Sequence, residues 1–108
     1  MRKFLSLFLA LAMSIACCTL AAAEDTAEAM QYTEENITID AGDHQIPATL
    51  TVPVGAEGEK FPAVVMLHGN GSPRHEAGNA YDYAALAMAK AGIATIRFDY
   101  IGNGDSNS

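Results

Sequence analysis

Two apolar runs with one helical segment between them constrain the fold of this chain more than any other feature. Residues 63–68 read "AVVMLH" and residues 93–98 read "IATIRF". Continuous apolar runs of this length suit parallel strands that are buried on both faces. An alanine-rich segment, residues 80–91, lies between the two runs. The order of strand, loop, helix and strand predicts a βαβ unit, whose crossover should be right-handed.

The limits of the helix are marked by residues that favour helix ends. Asn79 is a residue type that caps helices, and Asp82 falls in the first turn, where a negative charge suits the helix dipole. Gly92 stands where a helix would stop in a left-handed conformation. Three residues fall on one face of this helix: Tyr83, Leu86 and Ala87.

Two alternating segments upstream predict an antiparallel hairpin. Residues 36–40, "NITID", and residues 45–52, "QIPATLTV", alternate between the two faces of a strand. One face of the second segment would carry Ile46, Ala48, Leu50 and Val52. Pro47 cannot donate to a strand ladder, so the pair is expected near a sheet edge. Between them, Asp43 and His44 are interpreted as turn residues.

The first 23 residues follow the pattern of a secretory signal. Arg2 and Lys3 precede an apolar run, residues 4–16, and small residues, Ala21 to Ala23, come before Glu24. The run is short compared with the roughly 20 residues that a membrane-spanning helix needs. We therefore expect cleavage after Ala23, no stable membrane span, and a secreted or periplasmic product.

Both cysteines, Cys17 and Cys18, lie in this signal segment. A lipoprotein anchored through one of them is the alternative to a free exported protein. In either case the exported domain has no internal disulfide.

The rest of the chain is acidic. From Glu24 on, four basic and 13 acidic residues give a formal charge of −9. This charge argues against a nucleic-acid partner, because nucleic acids bind basic surfaces. Residues 24–32 are expected to form a flexible lead-in, and residues 33–108 a folded domain.

The most informative motif is "VVMLHGNGS", residues 64–72, where an apolar strand ends at a glycine-rich turn. Ligand sites in open α/β sheets gather at the carboxyl ends of strands. Gly69 and Gly71 would let the backbone approach a substrate closely. Backbone N–H groups in this turn can hold a developing oxyanion without a charged side chain.

Together with "RFDYIGNGDS", this motif resembles the α/β-hydrolase family, especially its serine esterases and the serine aminopeptidase-like branch. The resemblance runs in order from Thr33 to Ser106, through "ATLTVP", "HGNG", "KAG" and "RFDYIGNGDS". It implies an α/β fold with an α/β-hydrolase-type sheet, of which this sequence carries the amino-terminal hairpin and one βαβ unit.

The resemblance also implies roles for individual residues. The pair His68-Gly69 would open the oxyanion-hole loop, with Asn70 as the backbone N–H donor and Gly71 as the next candidate. His68 would then be structural and not the catalytic histidine. Asp99 matches the family's aspartate at the end of the second apolar strand, residues 93–98. Two alternatives stay open for it: it holds loops together, or it is simply exposed to solvent. The turn that leads onward would be formed by Gly102, Gly104 and Ser106.

Two further side chains lie in the loop between the glycine turn and the helix. Arg74 and His75 are placed to touch a substrate from this loop, but a solvated loop face is the expectation that we favour for both.

One element of the family's pattern is missing. These enzymes use a serine in a G-x-S-x-G elbow, followed in the chain by an acid and a histidine. Residues 102–106 read G-x-G-x-S, and Ser72 stands in G-S-P. The nucleophile, the acid and the histidine are therefore expected beyond Ser108, and the 108-residue chain alone is expected to be inactive.

Three functions compete at this point. The first is an exported serine hydrolase that acts on small carboxylic esters, or less readily on peptides, without a cofactor or a metal. The second is a nucleotide-binding module, but Asn107 stands where the last glycine of G-x-G-x-x-G would be. The third is a non-catalytic exported binding domain, or a gene relic, with the same front half.

Overall fold

The computed structural model describes residues 27–106, so the predicted signal segment and both cysteines lie outside the described residues. The elements in chain order are β1 (Tyr32–Asp40), β2 (Gln45–Pro53), β3 (Ala63–Met66), a short 3-10 helix (Ala77–Asn79), α1 (Ala80–Lys90) and β4 (Ala94–Phe98). The four strands form one mixed sheet in the order β1-β2-β4-β3.

The predicted hairpin is confirmed. Strands β1 and β2 are antiparallel, in a register that runs from Tyr32 opposite Pro53 to Asp40 opposite Gln45. Strand β1 begins four residues before the predicted segment, because every residue of β2 has a partner along it. At the turn, the Ala41 N–H donates to the carbonyl of His44 over 3.0 Å.

The hairpin lies at an edge of the described sheet as expected, but its proline stands in the inner strand of the pair. Strand β1 lies at one edge of the described sheet, and β2 lies between β1 and β4. Pro47 donates nothing to the ladder, but its carbonyl accepts the N–H of Asp99 over 3.0 Å.

The predicted βαβ unit is also confirmed. Strands β3 and β4 are parallel, with Ala63 opposite Ala94 and Met66 opposite Arg97, and α1 connects them. Gly92 has φ 86°, which is the left-handed conformation expected after the helix.

The start of the helix differs from the prediction. Asn79 has φ 57° and ψ 31°, and its side chain makes no capping hydrogen bond. A capping residue needs an extended backbone to turn its side chain toward the first helical N–H groups. The left-handed backbone of Asn79 prevents this, and the N–H of Tyr81 instead donates to the carbonyl of His75 over 3.1 Å.

Helix α1 packs on the sheet through small side chains. Ala85 and Ala89 are fully buried, whereas Tyr83 is 70% exposed and Ala87 is exposed. The face that contains Tyr83, Leu86 and Ala87 is therefore not the packing face. Alanines four residues apart let the helix approach the sheet closely, which leaves no room for larger side chains.

The sheet face under α1 is polar. Its buried side chains belong to β2 and β4: Thr49, Thr51, Thr95 and Arg97. The neighbouring residues in these strands point to the other face, where Ile46, Leu50, Ile96 and Phe98 are half-buried. The apolar side of the hairpin thus lies on the face away from α1.

The expected burial of β3 on both faces is not found in the described residues. Val64, Val65 and Leu67 are exposed, Val65 by 60%, whereas Met66 is buried. The reason is position, because β3 is an edge strand of the described sheet, and among residues 27–106 no helix covers its second face.

Residues 27–106 contain neither a membrane-spanning helix nor a cluster of metal-ligating side chains. No helix in this part of the chain is long and apolar enough to cross a membrane. Nor do His, Cys, Asp and Glu side chains of the same residues form a group of three that could hold a metal ion.

Candidate active site

A tight turn follows β3 at the carboxyl end of the strand. The N–H of Ser72 donates to the carbonyl of Gly69 over 3.1 Å, and Gly71 has φ 80°. Positive φ at the third position is typical of a type II turn. Asn70 and Gly71 are exposed, and their N–H groups have no hydrogen-bond partner within residues 27–106. The two predicted oxyanion donors therefore lie on an accessible turn with unoccupied N–H groups.

His68, just before the turn, is buried and held by the backbone on both sides of its ring. The N–H of Tyr100 donates to Nε2 over 3.1 Å. Nδ1 therefore carries the ring proton, which it donates to the carbonyl of Gly69 over 2.8 Å. The ring also lies against that of Tyr100, with centroids 4.1 Å apart. In this arrangement neither ring nitrogen is available for proton transfer to a substrate.

Asp99 is 1% exposed and joins three segments of the chain. Its carboxylate accepts the N–H of Arg74 over 2.6 Å and that of Asp105 over 2.9 Å. The guanidinium of Arg74 forms an ion pair with the same carboxylate at 2.5 Å. Of the two alternatives open from the sequence, the structure thus places Asp99 as a brace between loops.

Arg74 was expected on a solvated loop face, and this expectation is wrong. The residue is 7% exposed. Its guanidinium also donates to the hydroxyl of Thr49 over 3.0 Å and to the exposed carboxylate of Asp105 over 2.9 Å. The sequence could not show this, because Asp99 lies 25 residues away and a loop arginine is usually solvated.

The carboxyl group of Asp99 is an acid stronger than usual. Its burial by itself would raise the pKa of Asp99, but the N–H groups of Asp105 and Arg74 and the charge of Arg74 outweigh this effect. The pKa of Asp99 consequently lies below its ordinary value, so the carboxylate is ionised at neutral pH.

The glycine turn after β4 is shaped by the same carboxylate. Gly102 and Gly104 have φ 80° and 55°. A Cβ at Gly104 would lie 2.5 Å from the carboxylate of Asp99, so any side chain there would displace it. Ser106 closes the turn by donating its N–H to the carbonyl of Asn103 over 3.0 Å. Its buried hydroxyl has no partner in the described part of the chain.

A second buried arginine was missed in the sequence. Arg97 is 1% exposed and donates to Asp82 over 2.9 Å, to Thr51 over 3.0 Å and to Glu34 over 3.1 Å. It therefore ties helix α1 to the hairpin. A signal was present, since Thr95 and Arg97 alternate with apolar residues in β4, but the run was interpreted as uniformly apolar.

The remaining two histidines pair with neighbouring acids. Nδ1 of His75 lies 2.7 Å from Asp82 on α1, and the ring is half-buried. The expectation of a solvated loop face is therefore wrong for His75 as well. Nδ1 of His44 lies 2.5 Å from the exposed carboxylate of Asp43, in the hairpin turn, where both were predicted.

An open pocket of about 370 Å³ lies beside the end of β4. Its lining is mostly apolar: His44, Ile46, Phe98, Asp99, Tyr100 and Ile101. Tyr100 lines this pocket, and its ring also contacts that of His68.

Comparison with solved structures finds a similar fold in a cold-adapted esterase from an Arctic intertidal metagenomic library, solved as a PEG-bound complex. The TM-score is 0.53 at 19% sequence identity, and the match covers 77% of this chain and 35% of the esterase chain. This chain therefore spans about a third of that protein. Such a likeness shows the fold alone, and it supports a mixed α/β architecture.

The other two comparisons gave no relative. No family model matches the chain. No curated protein matches it either.

Proposed function

We propose that this protein is an exported serine hydrolase that acts on carboxylic esters, with peptides as less favoured substrates. The observation that carries the proposal is the turn after β3, at the carboxyl end of a parallel strand. There the N–H groups of Asn70 and Gly71 have no hydrogen-bond partner among residues 27–106. The solved structure with a similar fold is an esterase, which agrees with this chemistry.

The reaction needs two kinds of group. A serine hydroxyl attacks the carbonyl carbon of the ester while a base takes its proton, and the carbonyl oxygen becomes negatively charged. Backbone N–H groups in the turn stabilise this oxyanion until the alcohol leaves, and again when water attacks the acyl-enzyme. Residues 27–106 contain no G-x-S-x-G sequence, so the proposal requires a nucleophile outside them.

The apolar pocket at the end of β4 supplies a place for part of the substrate. Tyr100 contributes to its lining and contacts His68, which immediately precedes the turn. Ile46 and Phe98 give the pocket an apolar wall, which suits an alkyl group better than a charged one. This arrangement favours an ester with a small apolar acyl or alcohol group.

Export is part of the proposal and depends on the sequence pattern of residues 1–23. A basic start, an apolar run and small residues before Glu24 are the parts of a secretory signal. Retention as a lipoprotein through Cys17 or Cys18 is the alternative.

The proposal is tested on the intact protein, made from its whole gene and recovered outside the inner membrane. It should begin at Glu24 and hydrolyse a short-chain chromogenic ester, and a fluorophosphonate should abolish this activity by labelling one serine. The polypeptide of residues 24–108 alone should do neither. Absence of labelling in the intact protein, or labelling of Ser72 or Ser106, would contradict the proposal, and an amino terminus at Cys17 or Cys18 would replace free export by lipid anchoring.

Two substitutions at Asn70 separate a backbone donor from a side-chain donor. Asn70→Ala keeps the N–H and should change kcat by less than about tenfold, whereas loss of an oxyanion donor costs about 10²–10³ in kcat. Asn70→Pro removes the N–H, and it should cause that larger loss while preserving the turn. Proline is suited to this position because Asn70 has a negative φ and precedes Gly71 at φ 80° in a turn of type II geometry.

The ester assay and the thermal unfolding temperature are measured for both variants. A loss of 10² or more in Asn70→Ala with unchanged unfolding would show that the side chain is the donor. If Asn70→Pro and the unchanged protein were equally active, the N–H of Asn70 would not be a donor to the oxyanion.

A further inference from the structure

One residue outside the predicted site has a strained backbone. Glu76 has φ 60° and ψ 174°, a region that is populated almost entirely by glycine. Such conformations persist at sites where the surroundings hold them in place. Here the N–H of Glu76 donates to the carbonyl of Pro73 over 2.9 Å, and its carbonyl accepts the N–H of Asn79 over 3.2 Å.

The strained backbone directs the side chain of Glu76 to the turn after β3. Its carboxylate accepts the N–H of Gly69 over 2.5 Å, across seven residues of sequence. A second, longer contact of 3.4 Å joins the carboxylate to the N–H of Ala77. The side chain therefore connects Gly69, at the start of the turn after β3, to the segment that enters helix α1.

The residues that precede Glu76 are held in place by other contacts. Arg74, two residues before Glu76, is buried and paired with Asp99. The carbonyl of His75 accepts the N–H of Tyr81 in α1. Glu76 thus starts from an anchored backbone, and its carboxylate restrains Gly69, not the reverse.

We propose that Glu76 is a positioning residue, whose carboxylate holds Gly69 so that the turn presents the N–H groups of Asn70 and Gly71 to a substrate. The turn has this role only if the proposed ester hydrolysis is correct, so the inference rests on the proposed function. The contact also occupies the N–H of Gly69. This leaves Asn70 and Gly71 as the donors in the turn.

The contact is stronger when the carboxylate is ionised, because a charged oxygen accepts an N–H more strongly than a neutral one. The hydroxyl of Ser72 and the N–H of Gly69 hold the pKa of Glu76 below its ordinary value. The other titratable side chain whose charge acts on this carboxylate is His68, and a positive charge there would favour ionisation further. Protonation of Glu76 should therefore weaken the contact only in acid.

The contact can be observed directly at Gly69. His68-Gly69 is the only His-Gly pair in residues 1–108, so labelling with carbonyl ¹³C-histidine and ¹⁵N-glycine selects the Gly69 amide from all others in this region. In the intact protein, the amide proton shift of Gly69 should show a titration with a midpoint below the ordinary glutamate value of about 4.3. Glu76→Gln should abolish this titration, and Glu35→Gln, at an exposed position of β1, should leave it unchanged.

The effect on function is measured with Glu76→Gly and Glu76→Gln. Glycine adopts the backbone conformation of Glu76 readily, so this substitution removes the carboxylate with little disturbance of the chain. Glu76→Gly should lower kcat for the ester by about tenfold to 10²-fold through misplacement of the turn, with KM nearly unchanged. Glu76→Gln keeps an oxygen acceptor and should recover most of the loss.

The outcomes separate this inference from the proposed function. A Gly69 amide without an acid titration that depends on Glu76 would overturn the contact, and an unchanged kcat in Glu76→Gly would overturn the positioning role. If the intact protein hydrolyses no ester, the proposed function fails. In that case the positioning role is decided by hydrogen exchange at the amide of Ser72, which closes the turn. Glu76→Gly should accelerate this exchange at least about tenfold. A smaller change would overturn the positioning role.

Discussion

Replacement of Asp99 with alanine should lower the free energy of unfolding of the intact protein by about 3–5 kcal/mol, the usual cost of removing one partner from a buried ion pair. The substitution would leave the guanidinium of Arg74 buried with one remaining carboxylate, that of the exposed Asp105. It would also remove the acceptor of two backbone N–H groups, those of Arg74 and Asp105.

The matched control is Asp105→Ala, which removes the exposed partner of the same arginine. Exposed ion pairs contribute at most about 1 kcal/mol, so this variant should be nearly as stable as the unchanged protein. Urea unfolding of the three proteins measures the difference. If Asp99→Ala were as stable as Asp105→Ala, Asp99 would not be the brace that its contacts indicate.

The low pKa of Asp99 gives this prediction a pH dependence. A carboxyl group whose pKa is lower in the folded than in the unfolded state stabilises the fold above the unfolded pKa. That stabilisation is lost as the pH falls through the pKa of Asp99 in the folded state, which is the lower of the two pKa values. The difference in stability between the unchanged protein and Asp99→Asn should therefore be constant from about pH 7 to pH 5 and should shrink below about pH 4.

The order of elements was predictable from the sequence because it depends on local signals. Continuous apolar residues in β3, the glycine at position 92 and the alternation in β2 each act over a few residues. The pairing of β3 with β4 then follows from the βαβ connection. The positions of Asn70 and Gly71 on an exposed turn were predictable for the same reason.

The charged contacts were not predictable, because they join residues that are distant in the chain. Arg74 and Asp99 are 25 residues apart, and Arg97 and Glu34 are 63 apart. Nothing near Arg74 in the sequence indicates that its loop folds back onto the sheet. Glu76 was missed for a related reason, since its strained backbone depends on contacts with Pro73 and Asn79 in the folded loop.

The packing face of the helix could not be predicted from its large apolar residues, because the sheet beneath it is polar. Large apolar residues such as Tyr83 usually mark the buried side of a helix. Here the sheet presents Thr51 and Arg97, and the fully buried residues of the helix are Ala85 and Ala89. Asp82 from the same side of the helix accepts a hydrogen bond from Arg97. The interface is held by polar contacts and close approach, which a count of apolar residues does not detect.

This polar interface determines how the polypeptide of residues 24–108 should behave by itself. The buried apolar residues of the described part are Ala48, Met66, Ala85 and Ala89. Three of these are alanines, and each methyl group contributes only about 0.8 kcal/mol on burial. The larger apolar side chains lie on the opposite face of the sheet, where Val65 is 60% exposed. Apolar burial of this extent is too small to offset the conformational entropy of some 80 ordered residues.

The polypeptide of residues 24–108, prepared alone, should therefore show no single cooperative transition on heating or in urea. It should also associate, because β3 is an edge strand of the described sheet with exposed Val65 and Leu67 and no charged residue to prevent pairing. Val65→Lys places a charge on that edge and should reduce association, as measured by light scattering, without creating a cooperative transition. The intact protein serves as the reference in both measurements. A monomer of residues 24–108 with one sharp transition and slowly exchanging amides in β3 and β4 would show that the polar interface under α1 is sufficient to hold the fold.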